Sequence, residues 1–160
     1  MFGKLFKKTA AKKPTATVVP MKNIDYPPKI ILAWAKAIEG NQEILGWLKD
    51  NDYDELFYAS YAIRLKTEAR DWLTKNGYPQ LMAFVNACEG NEKALRWLQL
   101  NSMDLLYYMA LAIDDNDVTA IAWLQRNGTP DLIFLAKTIK AVKDNIEENH
   151  NDIHSFGRDD

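Results

Sequence analysis

The side chains that most often carry chemistry are scarce in this chain, which has one cysteine and two histidines among 160 residues. His150 and His154 are four residues apart, so on a helix they would share one face and offer two imidazole ligands to a metal ion. Glu147 and Asp152 lie nearby, but a structural zinc site needs a fuller ligand set, commonly with thiolates. We therefore expect no metal centre.

A run of acidic residues at Asp50, Asp52 and Asp54 has the spacing of the first ligands in a calcium-binding loop. The rest of that motif is missing from the sequence. Glu55 stands where the loop needs glycine, and Tyr61 stands where it needs a bidentate glutamate. Asp54 instead suits the first turn of a helix, where a negative charge is favourable.

The single thiol, Cys88, falls in an apolar column of the repeats described below, at a place where other repeats carry isoleucine. A catalytic thiolate would need a basic and partly exposed setting. The sequence also contains no glycine-rich phosphate loop and no nucleophile motif. We expect a non-enzymatic protein without a cofactor, and one cysteine gives no disulfide framework.

Aromatic and basic residues that vary between repeats are the best candidates for binding a partner. They are Tyr58, Tyr61, Tyr107, Tyr108, Phe134, Lys36 and Lys137. One interpretation is a concave groove lined by the first helix of each repeat, in which tyrosines grip a peptide or helix, as they often do in binding hot spots. The other is that these helices are packed between neighbours and need bulky side chains on several faces. Tyrosine suits a partly solvent-exposed position under either interpretation.

These residues are carried by a repeat that ends in Trp-Leu-x-x-Asn. The tag occurs at Trp47–Asn51, Trp72–Asn76, Trp97–Asn101 and Trp123–Asn127, so the tryptophans are 25, 25 and 26 residues apart. A second column, which anchors the first half of each unit, consists of Ile38, Ile63, Cys88, Ile113 and Ile139. The positions three, four and seven residues before each anchor, which hold apolar or small residues, share one helical face. The sequence pattern therefore predicts two short helices in each unit.

The predicted helix boundaries follow from local signals. Asn41 and Asn91 suit the start of a second helix, and Asp54, Pro79, Asp104 and Pro130 suit the first turn of a first helix. The asparagine that closes each tag is expected at the helix C-terminus in the left-handed conformation. A fifth unit starts at Thr129 but lacks the tag, and its polar second half, 141–149, has the composition of a terminal cap.

The fold class predicted is all-α, an α-solenoid stacked in the right-handed sense from four to five helix-turn-helix repeats. A flexible basic arm and linker occupies 1–25, the repeat domain 26–149, and an acidic tail 150–160. The absence of a secretory signal pattern and of a long apolar run leads us to expect a cytoplasmic protein.

The N-terminal arm offers two alternative functions. Its apolar and basic side chains, Phe2, Lys4, Leu5, Phe6, Lys7 and Lys8, would form an amphipathic helix that anchors the protein on an anionic membrane. The same charge would allow binding to a nucleic acid, although the repeat domain between the two termini is mildly acidic, which disfavours phosphate contacts. A frayed, solubilising terminus explains the arm equally well.

Two stretches resemble ankyrin repeats: Gly90-Asn91-Glu92-Lys93-Ala94-Leu95-Arg96-Trp97-Leu98, and Thr129-Pro130 at the start of a first helix. The resemblance covers about Tyr26 to Val142 and implies a stacked helix-pair solenoid that binds proteins. Ankyrin units are longer, at about 33 residues, so these units have no room for the ankyrin β-hairpin finger. The expected function is a protein-interaction or scaffold module with another protein as its partner.

Overall fold

The computed structural model describes residues 24–156, and every regular element in that range is an α-helix. The helices are α1 Pro28–Ile38, α2 Gln42–Asp50, α3 Asp54–Ile63, α4 Thr67–Lys75, α5 Pro79–Ala87, α6 Glu92–Leu100, α7 Asp104–Asp115, α8 Val118–Asn127 and α9 Pro130–Phe156. The predicted basic arm lies outside the described residues except at 24 and 25, so the membrane and nucleic-acid interpretations of Phe2 to Lys8 stay predictions.

The all-α helical repeat is confirmed. Helices α1 to α8 form four hairpins in which the odd-numbered helix is the first helix of a unit and the even-numbered helix is the second. The predicted first-turn residues Asp54, Pro79, Asp104 and Pro130 begin α3, α5, α7 and α9. Local signals therefore place the helix starts.

Three second helices begin with a side-chain cap, which was predicted for Asn41 and Asn91 but not for Asp117. Oδ1 of Asn41, Asn91 and Asp117 accepts a hydrogen bond from the backbone N–H three residues later, at 3.0, 2.9 and 2.8 Å. Each cap satisfies a backbone donor that the first turn of a helix leaves unpaired.

The conformation predicted for the tag asparagine is wrong by one residue. Asn76 has a φ of −101°, and the left-handed residue is the next one, Gly77, with a φ of 81°. The asparagine has a different role, because its Nδ2 donates to the carbonyl of the tag tryptophan four residues earlier. This bond measures 2.8 Å at Asn51, Asn76 and Asn101 and 3.0 Å at Asn127. The Trp-Leu-x-x-Asn tag is therefore a C-terminal capping device.

Substituting Asn101 by alanine should lower the free energy of unfolding by about 0.5–1.5 kcal/mol, because it removes one side-chain hydrogen bond to a helix-terminal carbonyl. The bond lost is the one from Nδ2 to the carbonyl oxygen of Trp97. Urea denaturation followed by circular dichroism measures the loss. Gln99→Ala, at an exposed position of the same helix, is the control and should be nearly neutral. Equal effects of the two substitutions would contradict the capping role.

The first helices close on themselves. Consecutive first helices pack together from α1 to α9, and α9 also packs along α1. The residues four positions before the anchor column, Trp34, Ala59, Phe84, Met109 and Leu135, are fully buried in one continuous core. They fill the space that the first helices surround. At this column the first helices are packed between neighbours, and the predicted concave groove at the tyrosine columns stays a prediction.

The fifth unit differs from its prediction. It is a single helix, α9, of 27 residues, and it continues through Phe156, so the first seven residues of the predicted acidic tail are helical. The sequence between Ile139 and Asn149 has no glycine or proline to end the helix. Lys140 and Asp144 support this stretch with an ion pair at 3.5 Å. The fifth unit consequently has no second helix.

Second helices sit outside the closed run of first helices. Helices α2, α4 and α6 each pack on their own first helix and on the first helix that follows. Helix α8 packs on α7 but approaches α9 less closely. The tag spacing is one residue longer in this hairpin than in the others. The junction of α7, α8 and α9 is thus the irregular point of the repeat.

Candidate functional site

An aromatic cluster covers the outer side of α3. The ring of Tyr58 stacks on Trp72 of α4 with a centroid distance of 4.1 Å and an interplanar angle of 15°. The ring of Phe57 meets Tyr58 and Tyr61 edge to face, at 5.1 Å from each. Lys49 of α2 places its ammonium 4.9 Å from the centroid of Phe57. All three α3 aromatics are half-buried, which leaves part of each ring open to solvent.

The same arrangement recurs on α7, fifty residues further along the chain. The ring of Tyr108 stacks on Trp123 of α8 at 4.3 Å and 18°, and Tyr107 meets Tyr108 edge to face at 5.1 Å. Leu111 takes the position that Tyr61 has on α3, and it is also half-buried. Two equivalent hairpins therefore carry equivalent aromatic faces. We call the surface at Phe57, Tyr58, Tyr61, Tyr107 and Tyr108 the tyrosine faces.

The fifty-residue period was missed by sequence reasoning based on single units. Glu39-Gly40-Asn41 and Glu89-Gly90-Asn91 repeat at this longer period, as do Tyr58 and Tyr108. The intervening helix α5 carries Met82 where α3 and α7 carry Phe57 and Tyr107. The chain thus alternates plain and aromatic hairpins.

Two other predicted binding residues, Lys36 and Phe134, meet at the seam between α1 and α9. The ammonium of Lys36 is 5.9 Å from the ring centroid of Phe134, which is 39% exposed. Lys36 also forms an exposed ion pair with Glu39 at 3.3 Å. Lys137 is exposed one turn further along α9. The seven predicted residues therefore divide between the tyrosine faces, this seam and the exposed position of Lys137.

A cavity that the sequence did not predict lies where α8 stands away from α9. Its volume is about 240 Å³, and its lining is mostly apolar, with Ala112 and Ile113 from α7 and Leu124 from α8. Lys137 and Lys140 of α9 also line it. One predicted binding residue, Lys137, therefore takes part in a site of its own.

A buried polar cluster ties residues before α1 to the second hairpin. Tyr26 donates from its hydroxyl to Oε1 of Glu55 at 2.9 Å, and Glu55 is only 2% exposed. Tyr53 and Tyr78 lie close enough to Glu55 to interact electrostatically with its carboxylate. Burial first, and the Glu55 carboxylate second, raise the pKa of Tyr26, Tyr53 and Tyr78. This cluster keeps its tyrosines protonated.

A second polar group joins three helices. The guanidinium of Arg70 on α4 pairs with the carboxylate of Glu89 and donates to Oδ1 of Asn86 at 3.1 Å. Lys143 of α9 lies 3.6 Å from the same carboxylate. The group therefore bridges the second hairpin, the turn after α5 and the long final helix, which is a structural role.

The remaining chemical candidates take structural positions. Cys88 is buried, and burial raises the pKa of its thiol, so the thiolate needed for nucleophilic chemistry is disfavoured. Asp50 ends α2 and Asp54 begins α3, so these acids belong to helix termini. Within residues 24–149, no three side chains of the metal-binding types come together. The side chains of His150 and His154 lie outside the described part.

No helix of the described chain has both the length and the apolar character to cross a bilayer. Comparison with known proteins finds no matching family model, no matching curated protein and no matching solved structure. The likeness to ankyrin repeats therefore rests on the residues quoted above.

Proposed function

We propose that the chain is a non-enzymatic protein-interaction module that binds a peptide or helix of another protein on its tyrosine faces. The observation that carries this proposal is the recurrence of half-exposed aromatic clusters on α3 and α7. These aromatics pack against the core yet keep part of each ring exposed, unlike the members of the core column, which are completely buried.

Preorganisation favours binding at these faces. Tyr58 and Tyr108 are held by stacking on Trp72 and Trp123, so they have little rotamer freedom left to lose when a partner binds. Rigid tyrosines supply large contact areas at low entropic cost, together with a hydroxyl for hydrogen bonding. Lys49 above Phe57 adds a positive charge at the edge of one face.

Site-specific cross-linking in the cells that naturally make the protein tests the proposal. A photoreactive phenylalanine derivative replaces Tyr61 in one variant and Tyr107 in another, and mass spectrometry identifies the adducts. Both positions are half-buried, so the label reaches a bound partner without disrupting the core. We expect discrete adducts with the same partner from both faces.

The control places the same label at Leu100, a highly exposed apolar residue on α6, a helix that carries no residue of the tyrosine faces. A second control combines the label at Tyr61 with Tyr107→Ser, which should weaken the adduct if one partner spans both faces. Adducts that form equally from Leu100, or none from either tyrosine position, would contradict the proposed function.

A further inference from the structure

Helix α8 does not pack closely on the first helix that follows it, and this leaves a groove that the other hairpins do not have. Helices α2, α4 and α6 each pack against the first helix that follows them, and this packing covers the intervening apolar side chains. Helix α8 packs on α7 and leaves the cavity of about 240 Å³ on the side of α9. We call this space, between α8 and α9 above the α7 floor, the α8–α9 groove.

Helix α8 carries an exposed apolar residue at a column that is polar in the other hairpins. Val118 and Ile121 are one turn apart on α8, at 80% and 36% exposure, and Ile121 lines the cavity. The position of Val118, five residues before the tag tryptophan, is held in the earlier units by Gln42, Thr67 and Glu92. Val118, Ile121 and the apolar lining of the cavity together form a contiguous apolar surface, which is typical of a binding site.

The opposite wall is basic. Lys137 and Lys140 are three residues apart on α9, so they lie on the same side of the helix, and both line the cavity. Lys140 is paired with Asp144 at 3.5 Å. Lys137 is exposed, and within the described part of the chain no acidic side chain forms an ion pair with it.

We propose that the α8–α9 groove binds an acidic amphipathic helix of a partner protein, which places one large apolar side chain in the cavity and a carboxylate beside Lys137. The proposal rests on the proposed function and adds a second, charge-selective contact site to it. The apolar wall on α8 continues beyond the cavity, so the occupant covers more surface than one small molecule. An amphipathic helix in an apolar groove is a common mode of recognition.

Charge complementarity decides between a partner and the chain's own N-terminus. Residues 1–22 carry six lysines and no acidic residue, so Lys137 and Lys140 would repel them. An acidic helix gains attraction from the same lysines, and like charges at the same place would cost binding energy. The groove therefore selects acidic partners and rejects the arm.

Selection of helical peptides from a displayed random library on the full-length chain tests this inference. We expect enriched peptides to carry Leu, Phe or Trp with Asp or Glu one helical turn away.

Fluorescence anisotropy of an enriched peptide should show an affinity loss of about tenfold or more with Lys137→Glu, which reverses the charge. Ala136→Phe, which fills the cavity from α9, should also weaken binding. Lys93→Glu makes the same charge change on the exposed surface of α6 and should leave the affinity unchanged.

Several results would overturn the inference. Failure to enrich any peptide, enrichment of peptides without acidic residues, or an affinity that survives both Lys137→Glu and Ala136→Phe would each do so. Displacement of the peptide by micromolar dodecanoate, with dodecanoate bound directly in calorimetry, would assign the groove to a small amphipathic anion instead. Peptides that lose affinity only with Tyr61→Ser or Tyr107→Ser would overturn the groove while supporting the tyrosine faces.

Discussion

Replacing Trp34 by alanine is expected to lower the free energy of unfolding by about 3–5 kcal/mol, the range typical for removing a large aromatic side chain from a core. Trp34 is 0% exposed and is the largest side chain in the column that fills the interior. It lies on α1, the helix along which α9 packs to close the run of first helices. The cavity left by alanine would therefore weaken the one packing contact that joins the two ends of the repeat domain.

Guanidinium denaturation followed by circular dichroism measures this loss. Trp97→Ala is the matched control, because it removes the same side chain from a tag position that is only half-buried. Its loss should be clearly smaller. Trp34→Phe should recover most of the stability, since Nε1 of Trp34 has no hydrogen-bond partner in the described chain and phenylalanine removes that buried donor. An equal loss for Trp34→Ala and Trp97→Ala would show that the interior column does not dominate stability.

Helix positions could be predicted from the sequence because their signals are local. Pro79 and Pro130 fix the first turn of α5 and α9, and Asn41 and Asn91 cap α2 and α6 through bonds that span three residues. Such signals act within a few residues, so one unit is enough to reveal them.

The closure of α9 on α1 could not be predicted in this way. It joins residues about a hundred positions apart, and the apolar faces of α1 and α9 look the same whether a solenoid is open or closed. The solvent-exposed groove of an open solenoid and the filled interior of a closed one need the same periodicity. Periodicity therefore does not distinguish an open solenoid from a closed one.

The candidate sites were predictable in part. Variation between units identified Tyr58 and Tyr108, but their stacking on Trp72 and Trp123 depends on how two helices pack together. The α8–α9 groove depends on how far one helix stands from the next. The sign of this groove in the sequence is the one extra residue in the last spacing between tag tryptophans. In the sequence, Glu55 was noted only because it occupies the glycine position of a calcium-binding loop. Its burial and its hydrogen bond with Tyr26 depend on packing between distant parts of the chain.

The polar cluster around Glu55 predicts that the free energy of unfolding falls as the pH rises above about 10, the ordinary pKa of tyrosine in an unfolded chain. Burial and the Glu55 carboxylate raise the pKa of Tyr26, Tyr53 and Tyr78 in the folded protein. A raised folded-state pKa means that the protonated form contributes stability below the unfolded pKa. That contribution is lost as the pH rises toward the folded value, at about 1.4 kcal/mol per unit of pKa difference.

Urea denaturation at intervals from pH 8 to pH 11 measures this loss. Tyr26→Phe should flatten the alkaline decline, although at pH 8 it should be less stable than the parent because it lacks the 2.9 Å bond to Glu55. Tyr61→Phe removes a hydroxyl outside the cluster and serves as the control, with an alkaline decline like that of the parent. Glu55→Gln removes the second cause of the raised pKa values but leaves burial, so it should reduce the decline without abolishing it. If Tyr26→Phe and the parent declined in parallel, the alkaline loss would have to come from ionisable groups outside this cluster, and Tyr26 would have no share in it.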